Sequence, residues 1–208
     1  MNKFTTIFLA IVAIIVLSVA ITKYNKTSSK VALPLKEINN WESIIKKTPE
    51  YQNQDSKNSL IIFFDYECPY CIELDNELKK LIENPNINLP NLTYYHRPLP
   101  GAKNSFTASL AAECARDQGL FLEYHKELYV NSFRLGKIKY SDLAEKTGIN
   151  DLKSFNNCIE EKTKISVINN QVRISDSLGI MAVPSIIING DLYEGVLSSD
   201  LIIKLLNL

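Results

Sequence analysis

The sequence predicts an α/β fold: a mixed β-sheet flanked by helices on both faces, with an inserted helical block, preceded by an N-terminal hydrophobic segment. Three observations predict it. The apolar run Leu60-Ile61-Ile62-Phe63-Phe64 leads into a segment with Leu74, Leu78 and Leu81 at helical spacing, a strand followed by an amphipathic helix. Residues 105–178 then show helical spacing throughout. Near the C-terminus two short β-preferring runs flank Asn189-Gly190, a strong two-residue hairpin turn. Strand, helix, strand, helical insert, hairpin and helix, in that order, give a sheet covered on both sides.

The chain has 208 residues, 46% of them hydrophobic and 22% charged, with 23 basic and 23 acidic side chains. That length suits one domain with a sizeable core plus a terminal segment. A balanced charge without a Lys/Arg block excludes nucleic acid as the expected partner.

Lys3 precedes a charge-free apolar run over 7–21, and Lys23, Lys26 and Lys30 follow it. Residues 1–22 therefore read as a signal peptide or a transmembrane signal anchor. Ser18-Val19-Ala20 supplies the small residues that permit cleavage after Ala20. The run is somewhat short of the roughly 20 residues of a comfortable span, yet the Lys-rich, Ser/Thr-rich stretch after it reads as a tether and favours retention. Either way the domain, 37–208, lies outside the cytoplasm, in a bacterial periplasm or on the outer face of the cytoplasmic membrane. Residues 23–36 are the linker.

Within the domain, Ile38, Trp41, Ile44 and Ile45 predict a helix over 37–47, with Trp41 as a packing residue. The central strand occupies 59–65, and the helix after it stops before Pro85. Alternation over 91–97 gives a second strand. His96 beside its end reads as a surface or packing residue rather than a base. In the insert, a helix over 105–117 presents Ala108, Ala111, Cys114 and Ala115 on one face and closes at Gly119. A helix over 120–130 carries Phe121, Tyr124, Leu128 and Tyr129. Ser141 and Asp151 each cap a short helix. A longer one over 161–178 turns Ile165, Ile168 and Val172 inward and ends at Gly179. Strands over 185–188 and 192–194 form the hairpin. Ser199 caps a final helix with Leu201, Ile202, Leu205 and Leu206 inward.

Cys68-Pro69-Tyr70-Cys71 falls at the junction of the central strand and its helix. Cys68 sits near the N-cap and Pro69 at the first helical position, where a missing N–H costs nothing. A thiolate there faces unpaired N–H groups and the positive end of the helix dipole, so its pKa falls. Cys71, one turn inside on the Leu stripe, is shielded. An exposed, activated thiol beside a shielded one suits disulfide exchange, in which the first attacks and the second resolves. A zinc ribbon would need a second pair, and Cys114 and Cys158 lie far apart. Two core cysteines are a further alternative. Cys114 and Cys158 could form a structural disulfide worth roughly 3–4 kcal/mol through the unfolded chain, or could be two unrelated buried thiols, since sequence fixes no Cα separation.

These residues resemble the DsbA-like thioredoxin-fold thiol–disulfide oxidoreductases over about 58–208. The resemblance is carried by Phe64-Asp65-Tyr66-Glu67-Cys68-Pro69-Tyr70-Cys71, Arg97-Pro98-Leu99, Ala112-Glu113-Cys114-Ala115 with Gln118-Gly119, Phe121-Leu122-Glu123-Tyr124-His125, and Val183-Pro184-Ser185 before Asn189-Gly190. It implies a thioredoxin fold with an insertion over about 103–178, Cys68 as nucleophile and Cys71 as resolving thiol. It implies a cis Val183–Pro184 peptide facing the pair, so that Pro69, Tyr70, Val183 and Pro184 contact an extended substrate. His125 reads as structural. The redox disulfide Cys68–Cys71 is itself the reagent, with no cofactor and no metal. Partners are exported client proteins with cysteines and a membrane redox protein that reoxidises or reduces the pair. There is one departure. Many such proteins carry a buried acid six residues before the first cysteine, where this chain has Ile62; Asp65 and an exposed Glu67 are the nearest substitutes. A disulfide isomerase or reductase of the same fold is the alternative, although 30–58 is short for the dimerising domain isomerases use. A metal-delivery module with Cu(I) on the two thiolates is a third reading, weakened because no Met or His flanks the pair.

Overall fold

The computed structural model describes Ile15, residues 34–44 and residues 51–208. The chain divides into two units, Met1–Ala32 and Leu33–Leu208. Of the first, only Ile15 is described, helical and exposed. The predicted signal or anchor and most of the linker therefore lie outside the described residues. Among the described residues no helix is long and apolar enough to cross a membrane.

The second unit is a five-stranded mixed sheet in the order β1-β5-β4-β2-β3. Its strands are β1 (Lys36–Glu37), β2 (Ser59–Phe64), β3 (Asn91–His96), β4 (Ser185–Ile188) and β5 (Asp191–Glu194). β2 runs parallel to β3, with Leu60 opposite Leu92, and antiparallel to β4, with Ile61 opposite Ile187. A parallel neighbour requires a crossover, and helix α2 (Pro69–Ile82) supplies it. Both faces of the central strand are buried, which is why 60–64 is apolar without alternation. On one face Ile61, Phe63, Tyr95, Ile187 and Leu192 pack with Ile38, Leu178 and Ile180. Against the other side Phe64 packs edge-on to Tyr66, Tyr94 and His125.

The helical insert consists of α3 (Ser105–Arg116), α4 (Phe121–Val130), α5 (Tyr140–Lys146), α6 (Leu152–Glu160) and α7 (Ile165–Ser177). Ser105 and Ala108 to Ala115 on α3 are buried, because small side chains let its neighbours approach from several sides. Cys114 of α3 and Cys158 of α6 are joined in a disulfide, with Cα atoms 5.9 Å apart. The chain then returns through α7 to the hairpin and to α8 (Ser199–Leu206).

Several expectations are corrected. Lys36, expected as the last residue of the linker, is sheet: it pairs with Leu192, and the preceding Leu35 N–H donates to the Leu192 carbonyl at 2.7 Å. Helix α1 (Trp41–Ile44) accordingly begins at Trp41, not at 37, and residues 45–47 lie outside the described set. Ser141 lies inside α5, whose N-cap is Lys139. Residues 161–164 are turn, with Lys162 at φ 52°, so α7 starts at Ile165, and Ile165 itself is exposed. The cap of α8 is Ser198, whose hydroxyl accepts from the Leu201 N–H at 3.3 Å; the Ser199 N–H is held instead by Glu77 of α2 at 2.8 Å. The hairpin turn has positive φ at both Asn189 and Gly190, and a Cβ at Gly190 would stand 2.9 Å from the Trp41 ring. Glycine is thus required there both by backbone conformation and by close approach.

Candidate active site

Cys68 is the N-cap of α2, extended at φ −86° and ψ 116°, with Pro69 in the first turn. Its carbonyl accepts from the N–H groups of Cys71 at 3.1 Å and Ile72 at 3.3 Å, so the first helical turn closes around the pair. In the free-thiol form described here, the Cys68 Sγ–H points to the Val183 carbonyl at 3.5 Å. The Val183–Pro184 peptide is cis, and this loop lies against the Cys68 sulfur. Cys68 is consequently more covered than the sequence suggests, at 9% exposure against 2% for Cys71.

Access alone therefore does not separate the two thiols; their proton affinities do. A hydrogen bond from the Cys71 thiol, supported by the Cys71 and Tyr70 backbone N–H groups, brings the Cys68 pKa down to about 6, against the opposing effects of burial and the Asp65 charge. Burial pushes Cys71 far up, and its hydrogen bond to Cys68 adds to this. At neutral pH the pair is a thiolate at Cys68 and a thiol at Cys71, an arrangement able to support thiol–disulfide exchange.

The loop before Cys68 is locked to the insert. Asp65, 1% exposed, accepts from the Glu67 N–H at 2.6 Å, the Leu99 N–H at 2.7 Å and the Ser105 hydroxyl. Glu67 is not the exposed side chain expected from the sequence. It is half-buried and accepts from the Asn104 and Ser105 N–H groups at 2.8 and 3.1 Å and from the Asn104 side-chain amide at 2.8 Å. Burial pushes its carboxyl up, but these bonds outweigh burial and hold it below the ordinary carboxylate value. Both acids thus fasten the N-terminus of α3 to the active-site loop. Ile62, where the resemblance leads one to expect an acid, is buried in β2. A D-x-E pair before the cysteines, with a Ser–Asn partner 37 to 40 positions on, has no sequence signature that separates it from solvated charge.

Beside the pair lies an open groove of about 420 Å³, lined by Tyr70, Glu73, Ala182, Val183, Pro184 and Val196. Tyr70 is 64% and neighbouring Met181 74% exposed, so its rim is apolar and accessible. Of the sequence-predicted residues, Tyr70, Val183 and Pro184 line this groove, Cys68 touches the Val183 carbonyl, and Pro69 and Cys71 lie in the same first turn of α2, whereas Cys114 and Cys158 belong to the insert. Met181 and Val196 were not anticipated; both flank structural landmarks but carry no signal of their own. His96 proves to be fully buried, 3.1 Å from Glu113. Among the described residues, no group of three or more His, Cys, Asp or Glu is placed to hold a metal ion.

The family model described as thioredoxin matches residues 46–207, and the chain belongs to this thioredoxin family. Its fold is that of DsbA-like thiol–disulfide oxidoreductases. A thioredoxin-like oxidoreductase from Silicibacter pomeroyi is 23% identical with TM-score 0.62, covering 81% of this chain and 96% of that one. The thiol-disulfide exchange protein alpha-DsbA2 from Wolbachia pipientis is 24% identical with TM-score 0.63 over 80% and 90% of the two chains. Oxidised BdbD from Bacillus subtilis is 20% identical with TM-score 0.63 over 74% and 90%. In sequence, 143 residues, 66% of the chain, are 27% identical to a protein named Na(+)/H(+) antiporter NhaA 1 from Salinispora arenicola. The chain spans about a fifth, 21%, of the length of the curated relatives it matches.

Proposed function

We propose that this protein exchanges disulfides with cysteine-containing client proteins outside the cytoplasm, through the Cys68–Cys71 redox pair and a mixed disulfide at Cys68. The observation that carries this reading is the acid asymmetry of the pair at the start of α2: Cys68 near pKa 6 beside a Cys71 thiol held protonated. A thiolate so stabilised favours the reduced pair, which makes the disulfide form an oxidant. The working direction is therefore disulfide formation: a client thiolate attacks Cys68 of the oxidised pair, and a second client thiol then releases the reduced enzyme. A membrane redox partner restores the disulfide. The two electrons reside in the sulfur pair, so the reaction calls for neither cofactor nor metal. The groove at the cis Val183–Pro184 peptide, lined by Tyr70 from the start of α2, suits an extended client segment that would contact Pro69, Tyr70, Val183 and Pro184.

Export is supported by the apolar run over 7–21 and by the Cys114–Cys158 disulfide, a bond that persists in oxidising compartments. The test is to incubate the oxidised protein with a reduced two-cysteine peptide, and separately with a peptide carrying scrambled disulfides, and to follow both by mass spectrometry. Oxidation of the first, faster than reshuffling of the second, is the expected result. Reshuffling as the faster reaction would assign an isomerase, and inertness toward both would refute exchange.

A further inference from the structure

Three acids around the Cys68–Cys71 pair are committed to holding the fold. Asp65 and Glu67 fasten α3, and Glu77 of α2 is held by Lys80 and by the Ser199 N–H at 2.8 Å. Glu73 differs. It is exposed on α2 and lines the groove beside the pair together with Tyr70, Val183, Pro184 and Val196. Tyr70 and Glu73 are three positions apart on α2, a spacing that sets two side chains next to each other on one helix face. Among the described residues neither side chain has a hydrogen bond or an ion pair.

The cis-proline side of the groove adds no cation. Its carbonyls already have donors: the Ser185 hydroxyl donates to Ala182 at 2.8 Å, the Cys68 thiol to Val183 at 3.5 Å and the Gly195 N–H to Pro184 at 2.8 Å. The charge next to this loop is Glu194, exposed and opposite Ser185 in the β4–β5 register. Among the described residues no Lys or Arg lines the groove. Its surface is therefore apolar with a negative edge.

A cation entering the groove meets two complementary groups. The face of the Tyr70 ring attracts it through the ring quadrupole, and the Glu73 carboxylate pairs with it. A guanidinium suits both better than an ammonium, because it is planar, stacks on aromatic faces and forms two parallel hydrogen bonds to a carboxylate. We infer that Glu73, together with Tyr70, determines specificity by selecting client cysteines that have an arginine close by in the same extended segment. The inference rests on the exchange reading above and adds a substrate class to it. Val183, Val196 and neighbouring Met181 leave the rest of the groove to aliphatic client residues. The chemistry itself is unchanged. A client thiolate attacks Cys68 of the oxidised pair, the Cys68–Cys71 bond breaks, and two electrons pass from the client dithiol to the pair as the client disulfide forms. Glu73 acts on the encounter that precedes this step.

The experiment mixes oxidised protein with reduced two-cysteine peptides whose residues flanking both cysteines are Arg, Lys, Gln or Glu, quenches with acid and reads the products by mass spectrometry. A cation also acidifies the client thiol beside it, so each rate is divided by that of the same peptide with glutathione disulfide alone. After this division the Arg peptide is expected to react about fivefold faster than the Gln peptide, with Lys between them and Glu about threefold slower than Gln. In Glu73→Gln the Arg advantage falls below about twofold, whereas Glu73→Asp keeps part of it. Tyr70→Leu brings the Arg and Lys rates together. Each comparison is a ratio within one variant, so any change that a substitution makes in the reactivity of the pair cancels. Raising the salt to about 1 M, where the Debye length is about 3 Å, shrinks the wild-type preference in the same way. Equal rates for all four peptides, or an Arg preference undiminished in Glu73→Gln, overturns selection by Glu73 while leaving exchange intact. Failure to oxidise even the Gln peptide overturns the exchange reading and the selection with it.

Discussion

Cys68→Ala is expected to reduce disulfide exchange to the uncatalysed background, while Cys71→Ala accumulates a covalent adduct between Cys68 and its client. The two outcomes differ because the two sulfurs have different tasks. Removing Cys68 removes the thiolate that sits under the Val183 carbonyl beside the groove, at 3.5 Å from it. The remaining Cys71 is buried and held protonated, so it cannot take over the attack. Removing Cys71 leaves the nucleophile but deletes the resolving thiol, so turnover stops at the mixed disulfide. It also deletes the hydrogen bond that contributes most to lowering the Cys68 pKa, so adduct formation at neutral pH should be slower than wild type. Rapid-quench mass spectrometry of each variant with a disulfide peptide checks both points. Turnover by Cys68→Ala, or a Cys71→Ala protein free of adduct, would contradict the assignment.

The second large effect concerns stability. Replacing both Cys114 and Cys158 by alanine should cost about 4 kcal/mol, from the chain entropy of a loop closed over a separation of 44 residues. For a domain of this size that corresponds to roughly 10 °C in Tm. The bond ties α3 to α6, and α3 also receives Asp65 and Glu67 from the active-site loop. Loosening it should therefore disturb the position of Ser105 but leave the Cys68–Cys71 chemistry in place. Denaturant unfolding of oxidised wild type and the double variant measures the difference. A loss below about 1 kcal/mol would mean that the insert is held by packing alone.

What could be read from the sequence was what local chemistry decides. The β2–α2 junction was legible because a continuous apolar run, a Pro at the first helical turn and a Leu stripe all agree on one local structure. The Asn189-Gly190 turn was legible for the same reason. Strand β1 was not, since Lys36 and Glu37 are exposed and become a strand only by pairing with Leu192 and Asp191, more than a hundred residues away. Ser198 and Ser199 are chemically equal candidates for a cap, and only the path of the chain into α8 chooses between them. The break between α6 and α7 falls at Lys162, which adopts positive φ without any Gly or Pro to announce it. At the site, the cysteines and Pro184 were named from local pattern and resemblance. The bonds of Asp65 and Glu67 to Asn104 and Ser105 were not, because they depend on how the insert packs against the loop before Cys68.

The start of α2 makes one sulfur acidic and its neighbour resistant to ionisation. A depressed Cys68 pKa stabilises the reduced, folded chain: the contribution is fully present above the ordinary thiol value of 9.0 and is lost as pH falls through about 6. The direct measurement is the rate of alkylation of each cysteine in the reduced protein as a function of pH, read by peptide mass spectrometry. A half-maximal rate near pH 6 at Cys68, with Cys71 unreactive throughout, is the predicted result. Two cysteines that both titrate near the ordinary thiol value of 9.0 would contradict it.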